Sequence, residues 1–167
     1  MSFVPERHSE RAPSFESLRV PPHSIDAEQA VLGGLMLAPD ALDKVADRLG
    51  EGDFYRKDHR LIWRAITELA NKGMPCDAVT LGDWFDANGL AEMVGGASYL
   101  VELANATPSA ANIAAYAEIV REKSVLRQLI DAGTSITEDG YRPEGKSVQE
   151  VMESAEQRVF HIAESGA

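Results

Sequence analysis

The chain has 167 residues, 44% of them hydrophobic and 7% aromatic, enough apolar material for one domain with an appendage and too much for disorder throughout. Lys and Arg number 16 against 27 Asp and Glu, a formal net charge of −11 that disfavours autonomous binding to a phosphate backbone. The one cysteine, Cys76, excludes an internal disulfide, and no apolar run approaches the ~18 residues of a membrane span.

The first residues lack the apolar stretch of a signal peptide, so a cytoplasmic protein without a membrane role is expected. The basic residues form only short clusters, Arg56, Lys57, His59, Arg60 and Arg64 in one, Arg121, Lys123 and Arg127 in the other, both diluted by carboxylates. Apolar residues recur mostly at spacings of three and four, which points to an all-α fold.

Residues 1–20 carry Ser, Glu, Arg and Pro without a sustained apolar period and are expected as a flexible tail. Pro21-Pro22 closes it, and Ser24 is placed as the N-cap of a helix from Ile25 to Leu37, with Asp26 and Glu28 in the first turn where the helix dipole favours negative charge. After Pro39, Asp40 can cap a second helix with Leu42, Val45, Ala46 and Leu49 on one face. A turn at Asp53-Phe54-Tyr55 follows, and Asp58 can cap a longer helix with Leu61, Ile62, Ala65, Ile66 and Leu69 on one face and Gly73 just past its end. Thr80 is placed as the cap of a helix carrying Leu81, Trp84 and Phe85, and Gly95-Gly96 precedes another with Tyr99, Leu100 and Leu103. Short helices with tight links imply one globule over residues 21–109.

From Ala110 to about Asp139 there is no proline and only Gly133 interrupts a good helical composition, which implies a rod of ~45 Å. Gly140 and Pro143 end it. Ser147 and Glu150 spell a capping box that starts a last helix, to about Glu164, and the two helices form an antiparallel hairpin over residues 110–164. The expected architecture is a compact helical globule followed by a protruding antiparallel helical hairpin.

Residues 140–147 read Gly-Tyr-Arg-Pro-Glu-Gly-Lys-Ser and match G-x-x-x-x-G-K-S, the phosphate-cradling loop of nucleotide hydrolases. Such a loop is delivered by a buried strand, whereas Thr134 to Asp139 form a polar helix end, and Pro143 removes an amide donor where phosphate would sit. A small NTPase built on Gly140–Ser147 is therefore the weaker alternative. Four scattered histidines without metal-ligand spacing suggest no metal site, and no spacing suggests a catalytic residue or a cofactor site.

On a helical wheel Leu126, Leu129, Ile130, Gly133 and Ile136 cover an arc of roughly 160°, wider than the ~100° that one partner needs. The last helix places Val148, Val151, Met152, Ala155, Val159 and Ile162 on one stripe, with Phe160 well off it. One hairpin cannot bury both its seam and this surplus, so a second copy or another protein is expected to cover the rest.

The stretch from Pro21 through Ser24-Ile25-Asp26-Ala27-Glu28-Gln29 to Leu37, the Asp53-Phe54-Tyr55 turn with His59-Arg60, and Thr107-Pro108-Ser109-Ala110-Ala111-Asn112-Ile113 leading into Tyr116 together resemble the N-terminal domain of the DnaB family of bacterial replicative helicases, over about residues 20–164. The resemblance implies a helical globule and hairpin that pair with a second copy and form a trimer-of-dimers collar on a hexameric ring. It implies docking of the primase DnaG on that collar, with Ile130, Ile136 and Val151 supporting the surface. A RecA-like motor domain beyond Ala167 would use ATP and Mg and hold single-stranded DNA, and residues 165–167 would begin the linker to it. A helical adaptor unrelated to replication is disfavoured only by these word-level matches.

Overall fold

A computed structural model describes residues 19–166. The expected tail over residues 1–20 lies almost wholly outside this span, as does Ala167. The described residues form helices α1 (Ile25–Leu37), α2 (Lys57–Asn71), α3 (Ala78–Ala87), α4 (Ala97–Ala106), α5 (Ile113–Tyr141) and α6 (Val148–Ser165). Short 3-10 segments lie at Pro39–Lys44, Glu51–Asp53 and Ala91–Val94, and no strand occurs among the described residues.

Helix α1 is the centre of the globule. Ala27, Val31, Leu32, Leu35 and Met36 are buried, as are Gly33 and Gly34, and a helix apolar on so many sides must be enclosed by others. Helices α2, α4 and α5 pack around it. Gly33 is required where α1 meets the end of α4: a Cβ there would lie 2.5 Å from Thr107 Oγ1 and 2.6 Å from the Leu103 carbonyl oxygen. Phe54, Ile62, Ile66, Leu81, Phe85, Leu100 and Ile113 complete the core.

Several helix ends differ from the sequence expectation. The second helix is a 3-10 segment followed by turns: Leu42 and Val45 are buried as expected, but their i, i+3 spacing is met equally well by a 3-10 turn, whose side chains eclipse at that interval. Ala46, expected on the same face, is exposed. Asp77, rather than Thr80, caps α3, its carboxylate accepting from Thr80 N at 2.8 Å. Asp58 lies inside the first turn of α2, where it holds Arg56. From there Asp58 accepts from His59 N at 2.8 Å, while Glu28 of α1 accepts from Tyr55 N, just ahead of the helix, at 3.0 Å. Gly73 closes α2 in the left-handed conformation, with Met74 N donating to the Leu69 carbonyl and Gly73 N to that of Ala70.

Helix α5 belongs to both parts of the molecule. Ile113, Ala117, Val120 and Ser124, at spacings of four and three, are buried against the globule. Beyond Gln128 the only buried residue of α5 is Ala132, and the helix runs out alongside α6, whose Ile162 is buried. At 29 residues α5 is ~44 Å long.

Candidate docking surface on the hairpin

The hairpin leaves the globule through a set of hydrogen bonds gathered on the Gly50–Tyr55 segment. Asp53, buried, accepts through Oδ1 from Arg121 Nη1 at 2.9 Å and from Ser124 Oγ at 2.7 Å, and through Oδ2 from Gly50 N at 2.8 Å. Arg121 also donates to the Ser165 carbonyl, which ties the end of α6 to the same point. Six residues further along α5, Arg127 donates to the carbonyls of Asp53 at 2.6 Å and Pro22 at 2.7 Å. Its guanidinium lies over Tyr55, whose other neighbour is the stacked ring of His23 at 4.2 Å. Burial lowers the Arg127 pKa, while Glu28 and Asp53 oppose that effect. These contacts set the direction in which the hairpin projects.

Within the hairpin, the seam holds Ala132 and Ile162, both buried, with Ile136 and Val151 half-buried and Arg158 reaching Asp139 at 3.7 Å. Ile136 and Val151 thus lie along the line where α5 meets α6. Leu126, Leu129 and Ile130 are exposed, at 43–52% of their surface. Gly133 stands in the same arc, and a Cβ there would meet nothing within 4 Å.

The α6 stripe that reads as one face in sequence is divided by the fold. Val151, Ala155 and Ile162 turn inward to varying degrees, while Val148 at 81%, Met152 and Val159 are exposed. At about 100° per residue these three lie roughly 60–100° to one side of Val151, and Leu126, Leu129, Ile130 and Gly133 lie roughly 40–140° to one side of Val125 on α5. In two antiparallel helices that rotation carries both sets to the same side of the hairpin. Sequence reasoning missed Val148, Met152 and Val159 as surface, because an arc of that width is what a single seam would use.

Phe160 is 67% exposed and belongs to neither the seam nor this side. It borders a shallow notch of about 330 Å³ with Glu153, Glu156 and Gln157. At the hairpin tip Tyr141 is also exposed. The G-x-x-x-x-G-K-S letters fall in this tip: Gly140 is a helical residue of α5, so a helix and not a strand delivers the segment. The turn is made by Glu144 and Gly145, both at positive φ, and the Ser147 hydroxyl caps α6 by accepting from Glu150 N at 3.2 Å.

Inside the globule, Glu28 and His59 are fully buried, though the sequence placed them in a dipole-favouring first turn and a basic cluster. Glu28 Oε1 lies 2.8 Å from His59 Nδ1, and His59 Nε2 lies 2.5 Å from the Tyr99 hydroxyl. The signal for this cluster is tertiary, since its members come from three helices. Cys76 is buried, which raises its thiol pKa.

The DnaB-like helicase N terminal domain family matches residues 20–122. Over 145 residues, 87% of this chain, it is 47% identical to the replicative DNA helicase DnaB of Haemophilus influenzae. The corresponding helicase of Mycobacterium leprae is 44% identical over 153 residues, 91% of this chain. The chain spans 31% and 25%, respectively, of the length of these curated relatives. The crystal structure of the N-terminal domain of DnaB helicase from Mycobacterium tuberculosis superposes with a TM-score of 0.82 at 44% identity, covering 85% of this chain and 99% of that one. A DnaB-like replicative helicase whose structure was determined together with its interactions with primase shares the fold, with a TM-score of 0.68 at 24% identity, over 84% of this chain and 31% of that one. With the same helical globule, the same hairpin and close sequence agreement across nearly all the described residues, this chain belongs to the DnaB-like helicase N-terminal domain family.

Proposed function

We propose that this chain is the non-catalytic collar domain of a hexameric replicative DNA helicase. It pairs with a second copy through the hairpin, builds a ring from such pairs, and presents a surface on which primase docks. ATP hydrolysis with Mg, and the main grip on single-stranded DNA, fall to a RecA-like motor domain of the same helicase. The observation that carries this reading is the apolar side of the hairpin shared by Leu126, Leu129 and Ile130 of α5 and Val148, Met152 and Val159 of α6. A two-helix layer with such a side reaches a packed core when a second hairpin covers it as a four-helix bundle.

Each of these side chains contributes about 2 kcal/mol when it leaves water. A charge at Leu126 or Met152 is thus expected to weaken self-association by at least about thirtyfold. Light scattering coupled to size-exclusion chromatography over a concentration series tests this. Wild-type chain should be a pair, and Leu126→Glu and Met152→Glu should be monomeric with unchanged helix content. A wild-type chain that stays monomeric at high concentration, or variants that pair as well as wild type, would overturn the assembly role.

A further inference from the structure

Phe160 poses a separate question from the pairing side of the hairpin. It lies roughly 180° around α6 from Val151 and about 100° from Val159, so neither the seam nor a second hairpin on the Met152 side covers it. Its ring is two-thirds exposed, and the notch beside it is lined by Glu153, Glu156 and Gln157 with no cation among them. The cations nearest in sequence do not line it: Arg158 is turned away toward Asp139 at 3.7 Å, and His161 lies about 100° further round α6. An uncovered aromatic ring rimmed by carboxylates suits one kind of occupant. Its quadrupole attracts a cation over the ring face, the carboxylates neutralise further cations, and the methylene stems of Lys or Arg cover the apolar surface.

A second copy of this chain is a poor occupant. A symmetric contact centred on Phe160 would set Glu153 and Glu156 of one copy against the same carboxylates of the other. Like-charged surfaces steer each other away, whereas a basic protein is steered in.

We propose that the outward side of α6 centred on Phe160 is a second docking surface, and that it receives a cationic helix of a different protein. Lys or Arg side chains of that helix lie across the Phe160 ring and pair with Glu153 and Glu156. This deepens the docking part of the proposed function and rests on it.

The test uses the full chain, with the helicase-binding domain of the cognate primase as probe, in isothermal titration at two salt concentrations. The variants are Phe160→Ala and the double substitution Glu153→Lys with Glu156→Lys. Both sites are exposed, and circular dichroism checks that the helices are retained. Each variant should weaken binding tenfold or more without changing the self-association measured by light scattering. Wild-type affinity should fall with salt, and the lysine variant should lose most of that dependence.

If both variants bind as wild type does, the Phe160 side is not the docking surface, while the docking role itself stands. If the probe fails to bind the wild-type chain, the docking role falls and this inference falls with it. If Phe160→Ala abolishes self-association, the residue belongs to the pairing side and the assignment is overturned.

Discussion

The carboxylate of Glu28 and the imidazole of His59 meet at 2.8 Å in the interior of the globule, each almost without solvent contact. The pair joins α1 to α2, and the bond from His59 to the Tyr99 hydroxyl extends it to α4. Glu28 also accepts from the main chain at Tyr55, so one side chain satisfies donors from two directions.

Removing that carboxylate leaves the buried donors of His59 and Tyr55 without an acceptor. Glu28→Ala is therefore expected to lower the unfolding free energy by about 2–6 kcal/mol, at about 1–3 kcal/mol for each of the two buried donors left unpaired. Urea unfolding followed by circular dichroism measures it. A loss below about 1 kcal/mol would mean that water replaces the carboxylate at little cost.

Two glycines in helices should respond in opposite directions. At Gly33 an added Cβ collides with backbone and with Thr107, so Gly33→Ala should destabilise by about 1–3 kcal/mol as α1 and α4 are pushed apart. At Gly133 the same methyl meets nothing, and helix propensity alone favours alanine by up to about 1 kcal/mol. Thermal melts of the two variants, taken with the pairing side disabled by Leu126→Glu, should move to opposite sides of the Leu126→Glu parent.

The Asp77 cap provides a pH signature. Its hydrogen bonds from Thr80 hold the carboxyl below its usual value of 3.8. A carboxyl with a depressed pKa in the folded state adds stability that is fully present above the unfolded value and is lost as pH falls through the folded one. Asp77→Ala should thus cost about 1 kcal/mol near neutrality. The gap between variant and wild type should close as pH drops from about 4 toward the lower folded value. Unfolding curves at pH 7 and at several points below pH 4 check both the size and the direction.

Much of the outline was legible because the signals are local. The bounds of α1 follow from Ser24, which caps it, and from Pro39 beyond its end; Gly73 as the residue closing α2, and the hairpin with Ser147 at the start of α6, likewise depend on residues a few positions apart. The caps that were misplaced show where local reading fails. Asp58 and Thr80 are acceptable cap residues, but Asp77 competes for α3, and Glu28 reaches the chain just ahead of α2 from a helix 27 residues earlier.

Helix content, the turn glycines and the excess of apolar hairpin surface were determined by the sequence alone, since periodicity, backbone restriction and composition act within a turn or two of chain. Which residues share a side was decided only by tertiary structure. Val148, Met152 and Val159 became surface because α5 takes up Val151, Ala155 and Ile162 first, and Asp53 became the anchor of the hairpin because α5 brings Arg121, Ser124 and Arg127 onto its loop. Burial and pairing depend on distances between segments far apart in the chain, and those distances exist only once the helices have packed.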